Sequence, residues 1–217
     1  MSDSESVLSA GAQELGINLT ARQRQQLLEL IAELAEWNQR FNLTAIDAPL
    51  EAVRKHLLDS LSIDRYVSGS TVADVGSGAG FPGLPLAVIE PARQVTLIEA
   101  TGKKARFLEH ARAKLGLENV SVVNARAETF EPAARFDTVV ARALGKLNDF
   151  IRVAGHLAAP GGKLLAMKGR FPQAELEKLP RNWEAAAVHR LAVPGLDAQR
   201  HLVELRQRHA PRHPRWH

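Results

Sequence analysis

The sequence predicts an α/β fold: a seven-stranded, mostly parallel sheet covered on both faces, closed by an antiparallel final hairpin and preceded by a helical extension. Three observations predict it. Apolar residues in the first third recur at helical spacing, and from about residue 71 strand-like and helix-like segments alternate. The last two strand-like segments are joined by a stretch too short to hold a crossover helix.

The elements follow in order. Thr20 suits a helix N-cap, with Leu27, Leu30, Ile31, Leu34, Trp37 and Phe41 after it at spacings of three and four. A shorter helix is expected from about Asp47 through His56 to Tyr66. Ser68-Gly69-Ser70 breaks that pattern, so residues 1–67 read as a helical extension and 68–208 as the α/β domain. Strands are expected at Thr71–Val75, Gln94–Glu99, Val120–Asn124, Phe136–Ala141, Lys163–Lys168, Ala187–Ala192 and His201–Arg206. Helices are expected at about 83–90, 103–115, 146–158 and 173–179. Pro194-Gly195-Leu196-Asp197 then turns the final hairpin.

Composition narrows the class. The 217 residues suit one domain with an appendage, and 45% apolar with 24% charged residues is the balance of a soluble globular protein. No apolar run approaches the roughly 20 residues needed to cross a bilayer. The acidic start MSDSESVLSA lacks the features of a signal peptide, so a cytoplasmic protein without a membrane partner is expected. There is no cysteine, which excludes disulfides and thiolate metal sites, and no metal is expected. The net charge of +4 is unevenly spread: residues 1–66 carry ten acids against six Lys/Arg. The last 18 residues carry five arginines against Glu204. Such a basic end suits a polyanionic partner, with a flexible, solvated tail as the competing reading for 209–217.

The most informative stretch is Val72 to Gly83, VADVGSGAGFPG, where a strand runs into a glycine-rich loop and then a helix. Gly78 to Gly83 satisfies the dinucleotide fingerprint G-x-G-x-x-G, a weak match by itself. Asp74 stands where the loop begins, and a carboxylate there suits a cationic ligand better than a diphosphate. S-adenosylmethionine, with its sulfonium and amino group, is such a ligand. Glu99 closes the next strand, placed to accept hydrogen bonds from ribose hydroxyls. Ala127 and Glu128 follow the third strand on the adenine side, and Arg142 ends the fourth over the expected reacting centre. A salt-bridged surface residue is the alternative for Arg142.

Several segments together resemble one family. They are Trp37-Asn38, Asn42-Leu43-Thr44-Ala45-Ile46, His56-Leu57-Leu58-Asp59-Ser60-Leu61, DVGSGAGFPGLPLAV at 74–88, LIEATGKKARFL at 97–108, ARAE at 125–128, ARAL at 141–144 and MKG at 167–169. In this order they resemble the bacterial 16S rRNA guanine-N7 methyltransferases, the RsmG/GidB (glucose-inhibited division protein B) family. The resemblance implies a Rossmann-like class I methyltransferase that moves a methyl group from S-adenosylmethionine to guanine N7 in the 530 loop, leaving S-adenosylhomocysteine. Carried onto matching positions, it implies cofactor contacts at Gly76, Phe81, Ala127, Glu128 and Arg142, beside Asp74, Gly78 and Glu99. The implied partner is 16S rRNA or the small ribosomal subunit; a monomer is expected. Two other readings stay open: the same fold acting on another RNA or a small molecule, and an RNA-binding module with a vestigial cofactor site.

Guanine N7 is a lone-pair acceptor without a proton, so its methylation asks for no general base. Arg142 and Lys168 are then candidates for positioning substrate, not for acid–base work. Asn42, Lys103, Lys104, Arg106 and Lys168 are candidates for RNA contact. The cations at 103–106 open a helix where the macrodipole disfavours them, which gives them a reason other than helix stability. Asn38, Asn42 and Thr44 read equally as local caps. His56 and Asp59 share a helix face and read as structural or RNA-positioning.

Overall fold

The computed structural model describes residues 3–208; the expected basic tail at 209–217 lies outside them. Strand β1 (Thr71–Val75) is the middle of the nucleotide-binding half, paired in parallel with β2 (Gln94–Ile98) on one side and β4 (Phe136–Arg142) on the other. β3 (Val120–Val123) continues past β2 and β5 (Ala158–Lys168) past β4, both parallel. β7 (His201–Gln207) then inserts antiparallel between β5 and β6 (Trp183–Arg190). The sheet order is β3-β2-β1-β4-β5-β7-β6. It reverses direction between β1 and β4, and ligands of such sheets bind at the C-terminal strand ends beside that switch.

The N-terminal segment begins with α1 (Asp3–Glu14), a helix that sequence spacing did not separate from the rest of the first third. α2 (Ala21–Phe41) buries Leu27, Leu30, Ile31 and Leu34, the expected stripe. Thr20 caps it through a capping box: its hydroxyl accepts the Gln23 N–H at 3.2 Å while Gln23 Oε1 accepts the Thr20 N–H at 2.9 Å. The next helix is broken. α3 (Pro49–Ala52) widens into a π-turn at Val53–Leu58, which tightens again in α4 (Asp59–Leu61) and a final 3-10 turn at Asp64–Tyr66. Pro49 sets its start two residues beyond the expected Asp47, since proline suits a first helical turn.

Helices α5 (Gly83–Ile89) and α6 (Gly102–Lys114) cover one face of the sheet, and α7 (Leu147–Ala154) covers the other, with short α8 (Gln173–Leu176) beside it. The core has two parts. Leu8, Leu27, Leu34, Leu57 and Leu61 of the N-terminal segment join Leu84, Leu97, Phe107 and Val140 in one continuous cluster. The opposite face packs Phe150, Ile151 and Trp183 against Val139, Leu164 and Leu205. α7 ends before the expected residue 158 because the chain tightens at Gly155, where a Cβ would meet the Trp183 ring at 2.9 Å. That buried Trp183 also starts β6 earlier than the expected Ala187, and a register shift between Ala185 and Ala187 absorbs the difference. Among the described residues, no helix is long and apolar enough to cross a membrane.

Candidate cofactor and substrate site

The β1–α5 loop is held from below by two carboxylates. Asp74 is fully buried, and its Oδ2 accepts the Gly83 N–H at 2.8 Å. Its Oδ1 is buried with no partner. Burial drives the Asp74 carboxyl up to about 7, against the pull of the Gly83 N–H and nearby Arg142. Asp74 thus lies beneath the loop and is tied to it through Gly83. Glu99 sits at the end of β2, where Oε2 accepts the Gly78 N–H at 2.9 Å and Oε1 the Thr101 N–H at 2.7 Å. Each carboxylate oxygen keeps a second lone pair for a hydroxyl donor.

Two glycines matter for different reasons. At Gly80 (φ 87°) a Cβ would come within 2.3 Å of Leu84 Cδ1, so the loop folds tightly onto α5. At Gly78 (φ 59°) a Cβ would meet nothing nearer than the Gly76 carbonyl at 3.8 Å. Its space is open toward the strand ends, a cradle that a ligand can fill. The chain here fits an adenosyl cofactor: a pliant loop with free room, an acid at the adjacent strand end, and a second, unsatisfied carboxylate beneath.

Phe81, at the lip of the loop, lies in a stack. The His56 ring packs on it with centroids 4.6 Å apart and planes 13° from parallel, and the Arg142 guanidinium lies 5.3 Å from its centroid. Arg142 Nη1 donates to the Lys55 carbonyl at 2.9 Å and contacts Asp59 Oδ2 at 3.4 Å. Its Nη2 lies 3.3 Å from His56 Nδ1. Arginine only donates, so Nδ1 accepts and the proton sits on Nε2, which donates to Thr44 Oγ1 at 3.0 Å. Thr44 is held in turn by Asn38, whose Oδ1 accepts its N–H at 2.9 Å. Burial and the adjacent Arg142 lower His56 to about 4, so it is neutral near pH 7. Asp59, buried between two cations, also accepts from Arg200 Nε at 3.0 Å. Immediately after Arg142, Ala143 takes a left-handed conformation (φ 60°), a strained geometry typical of functional loops.

Gly76, Gly78, Phe81, Glu99 and Arg142 thus converge on one end of the sheet. Ala127 and Glu128 lie on a 3-10 turn beyond β3, tied to the site through Asn124, whose Nδ2 donates to the Glu99 carbonyl at 2.8 Å. Lys103, Lys104 and Arg106 lie in the first two turns of α6, and no ion pair engages them among the described residues. Asn42 is the exposed, left-handed C-cap of α2. Lys168 is held within the protein: its Nζ donates to the Gly145 carbonyl at 2.7 Å and to both Glu175 oxygens at 3.0 and 2.8 Å, so it latches the 143–147 loop. Arg200, which the sequence offered only as part of a basic end, folds back into the site; no local pattern marks a partner 141 residues away. The π-turn that presents His56 is a second feature without a sequence signal, although such turns often accompany functional sites.

Residues 23–203 match the family model GidB, rRNA small subunit methyltransferase G. The chain belongs to that family. A ribosomal RNA small subunit methyltransferase G from Nitrosococcus oceani is 50% identical over 209 residues, covering 96% of this chain and 98% of its own. One from Pseudomonas syringae is 44% identical, covering 92% and 94%. Family membership makes the chain a methyltransferase that uses S-adenosylmethionine. Among solved structures, the fold is similar to the glycopeptide N-methyltransferase MtfA complexed with S-adenosylmethionine (TM-score 0.58, 15% identity, 71% of this chain and 88% of that one). It is also similar to TrmN from Thermus thermophilus (TM-score 0.54, 21% identity, 78% and 53%).

Proposed function

We propose that the protein methylates N7 of a guanosine in the 530 loop of 16S ribosomal RNA. The observation that carries this reading is the family match across residues 23–203, joined to a site that offers alignment and no general base. The one histidine in it, His56, is neutral, but both its nitrogens are already engaged by Arg142 and Thr44. That is what N7 chemistry needs, because the nucleophile carries no proton to remove.

Gly76, Gly78, Phe81, Glu99, Ala127 and Glu128 would hold the cofactor, with Asp74 setting the loop from beneath. Bound there, S-adenosylmethionine supplies an electrophilic methyl group. Arg142, fixed by Asp59, His56 and the Lys55 carbonyl, faces the reacting centre and orients the base through its remaining donors. Lys103, Lys104, Arg106 and Asn42 would meet the RNA around this centre. Holding both partners in line can contribute roughly 7–11 kcal/mol to the barrier reduction without chemical participation.

Mass-spectrometric mapping of 7-methylguanosine in rRNA from cells with and without the gene tests the reading. Loss of the modification at one guanosine of the 530 loop is expected, with its restoration when purified protein acts on the undermethylated subunit. An unchanged modification profile would refute it.

A further inference from the structure

Beyond β5 the chain passes Gly169 and Arg170 to Phe171, the only large hydrophobic side chain strongly exposed among the described residues, at 48%. Exposure of a single apolar residue is ordinary; its position is not. The loop leaves the C-terminal end of β5, one strand beyond Arg142, at the same end of the sheet as the candidate site.

This loop is pinned on every side while the ring is left out. His201 opens β7 opposite Lys168, and its Nδ1 donates to the Gly169 carbonyl at 3.2 Å. The His201 ring meets Phe171 nearly perpendicularly, with centroids 5.6 Å apart and planes at 81°. Behind Phe171, Pro172 is buried and its carbonyl accepts the N–H groups of Glu175 and Leu176, each at 3.0 Å. The Lys168–Glu175 pair closes the other side. Arg170 and Lys146 on the adjoining loop are exposed cations that no acid engages among the described residues. A rigid aromatic held in a cationic setting is the arrangement that receives an unstacked base, because every base has a π-face and a phosphate beside it.

We propose that Phe171 is a stacking platform for a nucleobase turned out of its stack in the substrate RNA, with Arg170 at the neighbouring phosphate. The proposal rests on the rRNA methyltransferase reading above. It adds a base-binding subsite that the glycine loop and Arg142 do not supply.

Steady-state methyl transfer to undermethylated small subunits tests it, together with calorimetry of S-adenosylmethionine binding. Phe171→Ala should raise KM for the subunit about 5- to 100-fold, the loss expected of one base–aromatic stack. Maximal turnover and cofactor affinity should stay near wild type. Phe171→Trp should restore KM and Phe171→Leu should not. An unaltered KM in Phe171→Ala, or full rescue by leucine, would overturn the platform. A second readout does not depend on catalysis: an unstructured guanosine-containing oligoribonucleotide should quench the fluorescence of Phe171→Trp more than that of the wild type. If KM rises on the particle without that extra quenching, the ring touches a ribosomal protein and the proposal falls. If the wild type methylates nothing on the subunit, the functional reading fails, and the quenching still decides the platform.

Discussion

Asp74 and His56 are both buried beside Arg142, and their titrations oppose each other. The unfolded Asp74 carboxyl loses its proton near 3.8 and the folded one only at about 7, so within that window the folded protein holds the extra proton and stability falls as pH rises. His56 runs the other way. It takes up its proton near 6.5 when unfolded and at about 4 when folded, so its contribution grows with pH across that interval. The windows overlap and largely offset each other. Asp74→Asn removes the first while keeping an acceptor for Gly83. Its stability relative to wild type should therefore rise from pH 5 to pH 8, as read by chemical denaturation at each pH; a constant difference would contradict the buried charge. The loop glycines can be separated in the same way. Gly80→Ala should lose stability through its collision with Leu84, whereas Gly78→Ala pays only left-handed backbone strain, about 1–2 kcal/mol. Gly78→Ala should still weaken cofactor binding at least tenfold in calorimetry, because its methyl group enters the open cradle. The loop and the acid Glu99 were legible from the sequence. The depth of Asp74 was not, since a residue at a strand end can sit above or below the turn that follows it.

The helical elements divide by the kind of signal each carries. α2 could be read from its apolar spacing and its Thr20 cap, both local properties, and the structure reproduces them. Thr20→Ala removes one half of the capping box and should cost about 1 kcal/mol, measurable as a shift of the denaturation midpoint without loss of methyl transfer. The π-turn at Val53–Leu58 was illegible, because one extra residue per turn hardly alters an apolar pattern that is buried on several sides. Its consequence is specific: it delivers the His56 ring onto Phe81 and its Nδ1 to Arg142. His56→Ala should lower kcat on the order of tenfold or more while leaving KM for the cofactor less affected, since a misplaced orienting group is felt mainly when the partners must align. His56→Asn, which keeps a hydrogen-bonding side chain, should recover part of the loss. The β6 boundary slipped for a comparable reason: the burial of Trp183 under α7 is a tertiary fact that alternation cannot announce.

For the molecule as a whole, the sheet order and the charge distribution frame the catalytic end. The alternation of strands and helices was sufficient to foresee a parallel sheet with an antiparallel close, because each βαβ unit is built from local patterns. Pairings such as Asp59 with Arg200 were beyond reach, because they join segments that only the finished sheet brings together. Lys103, Lys104 and Arg106 have no acidic partner among the described residues, and the proposed contact with RNA would give them one. Replacing all three with glutamate should raise KM for the ribosomal subunit and flatten its salt dependence by about 2 units of log–log slope, with cofactor affinity preserved. β7, which lies between β5 and β6, is the final strand of the described chain to leave the ribosome that synthesises it. Until it threads into that gap, β5 has a bare edge, and Asp59 has only one of its two guanidinium partners. A chain cut before Arg200 therefore keeps the cofactor loop but leaves Asp59 with Arg142 alone, and the clasp around that arginine stays half built.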